Sequence, residues 1–192
     1  LINYRIQIHT IPPVYIDSLG LTPGKHVVAS AYTPQGELFV KFASMSIEKS
    51  FVPIIVRKHN DKNTLNVQYT NKKEKYLVGT YDLELLTLPR LYINDVEIKQ
   101  SHTTTVEIPP PGNAIIYLPA NGYASIFQRK KDKDLELVIN LKTDENMQTI
   151  QLQPGNYTIV FRAKYVNKSF YTIEKKFTIE SNKNTTINLN FR

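Results

Sequence analysis

The sequence predicts an all-β protein built from tandem antiparallel β-sandwich modules. Apolar and polar residues alternate with a period of two, as along 81–85 and 157–162, and such alternation is typical of half-buried strands. Turn-forming residues such as Thr22-Pro-Gly24 and Pro154-Gly-Asn156 divide the chain into short segments, about 8–12 residues apart. The third observation is an internal repeat, which indicates duplicated units in tandem.

The repeat is visible in several parts of the chain. Residues Tyr4–Ile16 return 77 positions later as Tyr81–Ile93, with tyrosine, threonine, proline and isoleucine kept. The glycine of Pro34-Gln-Gly36 returns 76 positions later in Pro110-Pro-Gly112. A third match, at a shift of 81, relates Thr104-Thr-Val106 to Thr185-Thr-Ile187. Paired glycines predict the same turns or close backbone approaches in both copies.

Each β-rich segment bounded by turn residues is assigned as one strand. The predicted strands are 4–10, 14–21, 26–33, 37–42, 52–58, 64–70, 76–88, 91–99, 102–108, 113–118, 123–130, 135–141, 148–152, 156–164, 169–180 and 184–191. Within 135–141, the leucines and Ile139 are expected to face the core. A helical turn is considered only for Ala43–Lys49.

The repeat divides the 192 residues into two modules, 1–100 and 101–192. Residues 1–24 resemble the closing hairpin of a module, so they are interpreted as the end of a further, truncated copy. The chain does not open with a signal-peptide pattern, and it is expected to begin inside a longer precursor. No apolar run approaches the ~18 residues of a membrane span, so no transmembrane segment is predicted.

Composition excludes several classes of site. The chain has no cysteine, which rules out disulfides, thiol catalysis and cysteine-ligated metals. It contains neither a Gly-x-Ser-x-Gly nucleophile elbow nor a glycine-rich phosphate loop. We therefore predict a non-enzyme without catalytic residues or a cofactor. The net charge of +7 predicts weak attraction to polyanions.

The sequence predicts no metal site. The four histidines, none of which lies at a metal-binding spacing from another, are His9, His26, His59 and His102. Two of them, His26 and His102, occupy near-equivalent repeat positions, which favours a structural or solvent-facing role. Loops 60–63 and 132–134 offer oxygen atoms to calcium, but lysine flanks their carboxylates, so hairpin tips are the preferred interpretation.

Basic residues near predicted hairpin ends form the candidate ligand-contact surface. The candidates are Arg57, Lys58, Lys72, Lys73, Arg129, Lys130 and Lys131. They could contact an acidic glycan or another polyanion, but the preferred interpretation is that lysines at strand ends and edges suppress aggregation. Nucleic acid is not expected, because no aromatic residues are interleaved with the cations.

The tyrosines have two expected roles. Tyr4, Tyr81 and Tyr157 begin corresponding strands, and each resembles the tyrosine of a sandwich corner, whose hydroxyl bonds nearby backbone. Tyr92 and Tyr171 lie on hairpin strands and are expected to be exposed, where they could stack on a sugar.

Several segments together resemble a known family. Residues 10–14, 22–26, 34–36, 56–59, 101–105, 152–157 and above all Lys75–Arg90 are similar to the C-terminal tail of von Willebrand factor A (VWA) domain proteins exported by the Bacteroidetes group. The resemblance implies transthyretin-like or immunoglobulin-like modules, a periplasmic or cell-surface location and an upstream VWA domain. The family's Asp-x-Ser-x-Ser metal site has no match here, because Asp17-Ser18-Leu19 lacks the second serine.

The predicted function is a non-catalytic spacer and interaction segment of a larger exported cell-envelope protein with an adhesion or scaffold role. Its partner would be a protein or an envelope glycan. The alternative is a carbohydrate- or polyanion-binding module that uses the basic hairpin ends.

Overall fold

The structure is a computed structural model, and it describes residues 2–43, 51–119, 122–129, 134–142, 144–164 and 172–189. The strands are β1 Ile2–Ile8, β2 Val14–Leu21, β3 Gln35–Phe42, β4 Pro53–Lys58, β5 Asn66–Tyr69, β6 Lys73–Leu77, β7 Gly79–Leu85, β8 Leu91–Ile98, β9 Thr103–Ile108, β10 Gly112–Tyr117, β11 Gly122–Arg129, β12 Leu135–Asn140, β13 Met147–Leu152, β14 Gly155–Ala163, β15 Thr172–Ile179 and β16 Asn184–Asn188. The helical turn considered for 43–49 falls almost entirely outside the described residues.

Strands β3 to β16 form two β-sandwiches with the same topology. In sandwich 1 the sheets run β6-β3-β9 and β5-β4-β7-β8, and in sandwich 2 they run β13-β10-β16 and β12-β11-β14-β15. Adding seven to every strand number of the first gives the second. Sheets of three and four strands are the arrangement of immunoglobulin-like sandwiches. The predicted fold class is confirmed.

Each sandwich buries the inward face of its strands. In sandwich 2 a single buried cluster joins residues of both sheets, among them Ile116 of β10 and Phe161 of β14. In sandwich 1 the rings of Tyr76 on β6 and Tyr81 on β7, from different sheets, lie 5.4 Å apart. Burying an aliphatic or aromatic side chain of this size contributes roughly 1.5–3 kcal/mol, so these cores hold the layers together.

The boundary between the two units differs from the predicted one. Unit 1 comprises the described parts of 1–42, 48–86 and 92–108, whereas unit 2 comprises the described parts of 43–47, 87–91 and 109–192. The predicted boundary at 100/101 is wrong because β9 completes a sheet of sandwich 1 by pairing with β3. The sequence match at a shift of 81 relates residues of β9 to residues of β16. β16 pairs with β10 as β9 pairs with β3, so the match joins the last strands of the two sandwiches.

Not every strand pair is antiparallel. The pairs β3–β9 and β10–β16 are parallel. Residue alternation reports which face of a strand is buried, and it carries no information about the direction of the neighbouring strand. The prediction of purely antiparallel sheets is therefore wrong for one pair in each sandwich.

The predicted strand 76–88 is two strands. β6 pairs with β3 in one sheet and β7 pairs with β4 in the other, so the chain changes sheet near Val78. The hydroxyl of Tyr81 donates to the carbonyl of Leu77 at 2.7 Å, and that of Tyr157 donates to the carbonyl of Gln153 at 2.6 Å. These contacts confirm the predicted tyrosine corners at both positions.

The prediction that the first leucines of β12 face the core is wrong. Leu135 and Leu137 are exposed, whereas Leu141 is buried. The pairing of β11 with β12 shifts between Ile126 and Phe127, and Val138 is left as an extra residue. A bulge of this kind reverses the facing of the residues that precede it.

The segment before sandwich 1 behaves differently from its repeat partners. β1 and β2 form a separate two-stranded sheet, and Tyr4 is 45% exposed where its counterpart Tyr81 is 2% exposed. The predicted strand 26–33 is absent. Its repeat counterpart is β9, which is a strand because it pairs with β3, and no described strand pairs with 26–33. Within the described residues, no helix is long and apolar enough to cross a membrane.

Candidate functional site

The first and last strands of each sandwich lie side by side. β3 pairs with β9 in parallel from Glu37↔Thr103 to Phe42↔Ile108. β10 pairs with β16 in parallel from Asn113↔Asn184 onward. Chain entry and chain exit therefore lie at opposite ends of one hydrogen-bonded pair in both sandwiches.

A glycine at the start of the first strand allows the last strand to approach it closely in each sandwich. A Cβ at Gly36 would lie 2.1 Å from the carbonyl oxygen of Lys99, and a Cβ at Gly112 would lie 2.3 Å from that of Glu180. Neither contact can be relieved by rotating a side chain, because the obstructing atoms belong to the backbone. The glycines that the repeat matched at a shift of 76 are thus required for the last strand to lie against the first.

A second feature lies in sandwich 1, and the described part of sandwich 2 has no equivalent of it. After β4 ends, the imidazole of His59 lies between two carboxylates: its Nδ1 is 3.2 Å from Oδ1 of Asp82 on β7 and 3.1 Å from Oδ1 of Asp95 on β8. The three ligand-type atoms all lie within 4.8 Å of one another. We call this group the 59–82–95 cluster.

Backbone amides fix the central carboxylate of the cluster. Asp82 accepts the amide of Asp95 at Oδ1 and the amide of Asn60 at Oδ2. Partial burial alone would raise the pKa of Asp82, but these amides and His59 hold that pKa below its usual range. Asn60 and Asp95 have φ values of 62° and 60°, which turns their amides toward the same carboxylate.

Sandwich 2 carries different chemistry at the equivalent positions. The strand register equates His59 with Arg129 and Asp82 with Thr158, and the repeat equates Asp95 with Lys176. There the guanidinium of Arg129 lies 3.3 Å from the hydroxyl of Thr158. A position that combines an imidazole and two carboxylates in one sandwich therefore contains a permanent cation in the other.

Several of the predicted basic contact residues form ion pairs with carboxylates. Arg57 forms an ion pair with Glu84 at 2.8 Å, Lys73 lies 3.4 Å from Glu37, and Arg129 lies 3.9 Å from Glu174. These pairs reduce the positive charge that the hairpin ends offer to a polyanion.

The remaining basic candidates have different surroundings. Lys58 is exposed at the end of β4, and Lys72 lies 5.7 Å from the centre of the Tyr69 ring. Lys130 and Lys131 fall outside the described residues.

The structure agrees with some of the other site predictions and leaves one of them outside the described residues. His26 and His102 are both exposed, in agreement with the predicted solvent-facing role, but only His102 precedes a strand, because 26–33 forms none. In the loop 60–63, Asp61 accepts the amide of Asn63, as expected of a hairpin tip. Tyr92 is 65% exposed, as predicted, and Tyr171 is outside the described residues.

Sequence patterns alone do not reveal the 59–82–95 cluster. His59 follows β4, whereas Asp82 lies on β7 and Asp95 on β8. The three residues are 23 and 13 positions apart, and no local motif joins them. The one available signal is the difference between repeats, since all three positions change character between the copies.

The fold defines a protein of tandem immunoglobulin-like β-sandwiches. No protein-family profile and no curated protein matches the sequence. The chain is similar in structure to the Bacillus anthracis TIE protein, with 14% identity and a TM-score of 0.35, over 94% of this chain and 38% of that one.

Two other solved structures show a comparable similarity. GBS52, the minor pilin of Streptococcus agalactiae, has 15% identity and a TM-score of 0.40, over 82% of this chain and 95% of that one. A streptococcal ancillary pilin has 11% identity and a TM-score of 0.37, over all of this chain and 77% of that one. Because the TM-scores are low, function is argued below from the residues of this chain.

Proposed function

We propose that this chain is a non-catalytic, load-bearing spacer of a larger exported protein of the cell envelope, with an adhesion or scaffold role. The observation that carries the proposal is the parallel pairing of first and last strands in both sandwiches. The family resemblance to VWA-protein tails supports export and an upstream VWA domain.

The mechanical argument follows from strand direction. Tension along the chain pulls the start of the first strand and the end of the last strand in opposite directions. Because the pair is parallel, its evenly spaced hydrogen bonds are loaded together in shear rather than one after another. A sandwich closed in this way resists tension until the whole pair slides, so forced unfolding is slow.

The cores and links agree with this role. Most of the buried side chains among the described residues are apolar. The three prolines at 109–111, which connect β9 to β10, restrict the backbone where tension passes from one sandwich to the next.

A polyanion-binding role receives less support. Three of its predicted contact residues, Arg57, Lys73 and Arg129, lie beside glutamates. We keep the spacer as the proposed function and retain a protein or envelope glycan as its proposed partner.

Single-molecule stretching from the two chain ends tests the proposal. We expect two unfolding events of comparable force, each releasing about 25 nm of chain at ~3.5 Å per residue. A chain that extends gradually at low force, without discrete events, would remove the basis for a load-bearing role.

A further inference from the structure

We propose that the 59–82–95 cluster binds a divalent transition-metal ion, with Zn²⁺ as the ion that best fits its donor atoms. The cluster offers one imidazole nitrogen from the turn after β4 and two carboxylate oxygens from β7 and β8 of the same sheet. Zinc binds histidine nitrogen together with aspartate oxygen, whereas calcium requires six to eight oxygens.

The distances suit the ion. With metal–ligand bonds of ~2.0–2.1 Å in a tetrahedron, neighbouring ligand atoms are roughly 3.3 Å apart. Nδ1 of His59 lies 3.2 Å from Asp82 and 3.1 Å from Asp95. The remaining oxygen–oxygen separation is within 4.8 Å, and the side chain of Asp95, 71% exposed, is free to rotate inward.

The two carboxylate charges of the cluster also favour a bound cation. A single Nδ1–H cannot satisfy two carboxylates that converge on it, and the carboxylates repel one another. In sandwich 2 the equivalent place is filled by the guanidinium of Arg129, which supplies a permanent positive charge. Sandwich 1 has no such group at this position, and a bound metal ion would provide the same compensation.

The backbone prepares the site. The amides of Asn60 and Asp95 hold the carboxylate of Asp82 in place, as supporting hydrogen bonds do for metal ligands generally. Three protein ligands leave a fourth position open, and Asp82 also lines an open cleft of about 370 Å³ with Arg57 and Tyr92. A water molecule would complete the coordination of a bound ion at this position.

Titration of the untagged chain with Zn²⁺ at pH 7 in a non-chelating buffer, followed by calorimetry, tests the proposal. We expect one ion per chain, at least tenfold weaker binding for Asp95→Asn, and unchanged binding for Glu97→Gln. Glu97 is a matched control because its carboxylate is exposed on the same strand and lies beside Lys99. The exposed position of Asp95 predicts that the variant folds normally, which circular dichroism checks.

The NMR signal of the His59 imidazole gives a second readout. It should shift with Zn²⁺ in the wild type and stay unchanged in Asp95→Asn at the same concentration. Absence of one-to-one binding, or binding equal in wild type and Asp95→Asn, overturns the proposal. In the latter case the ion is held by another histidine such as His9 or His102.

Discussion

Replacing Gly112 with alanine should weaken sandwich 2 where its first and last strands meet. The new Cβ would lie 2.3 Å from the carbonyl oxygen of Glu180 and 2.9 Å from that of Lys183. Because ordinary contact begins near 3.4 Å, the turn before β16 must move by about 1 Å. Overpacking of this kind costs roughly 1–3 kcal/mol, and the lower entropy of the unfolded alanine chain returns about 0.4–1 kcal/mol.

The expected net loss is about 1–2 kcal/mol, which lowers the melting temperature of a unit this size by roughly 4–16 °C. Hydrogen exchange read by mass spectrometry separates the two units, and protection should fall in sandwich 2 only. Gly155→Ala is the control, since its Cβ would meet the Tyr157 ring at an ordinary 3.5 Å. Equal stability of Gly112→Ala and the wild type would refute the close parallel approach.

Two further predictions concern ionisable groups. Tyr157→Phe removes the hydrogen bond to Gln153 and should cost about 1 kcal/mol at neutral pH. Burial raises the pKa of Tyr157 to about 12, so its hydroxyl contributes stability below pH 10, and this contribution declines as the pH rises toward 12. The free energy of unfolding of Tyr157→Phe should therefore depend less on pH over this range than that of the wild type. The pKa of Asp82 is lowered, so its contribution is present above its ordinary pKa of 3.8 and lost as the pH falls further. Asp82→Asn should therefore show a flatter acid-unfolding curve for unit 1, whereas an unchanged curve would contradict the role given to its backbone contacts.

The sequence contains most of the information needed for the architecture. The alternation of Tyr81, Leu83 and Leu85 predicts their burial because a strand places every second residue on the core face. The tyrosine corners and the paired glycines follow from the repeat, since a duplicated turn needs the same residues. Each of these signals lies within a short stretch of sequence, and the tyrosine corners and glycines occur in both copies of the repeat.

What escaped prediction depends on contacts between distant strands. The parallel direction of β9 is set by its neighbour β3, and the facing of Leu137 is set by a bulge opposite β11. The 59–82–95 cluster forms only after three strands are aligned. The absent strand at 26–33 shows the same dependence: its residues favour a strand, but strand formation requires a partner.

The direct test of the load-bearing account is to pull sandwich 2 along two directions. The chain has no cysteine, so handles attach only at introduced thiols. Pro109→Cys with Asn188→Cys applies tension along the β10–β16 pair, whereas Pro109→Cys with Lys183→Cys separates the two strands from one end. The account predicts a clearly higher unfolding force for the first pair, because its hydrogen bonds break together. Equal forces in the two directions would contradict it.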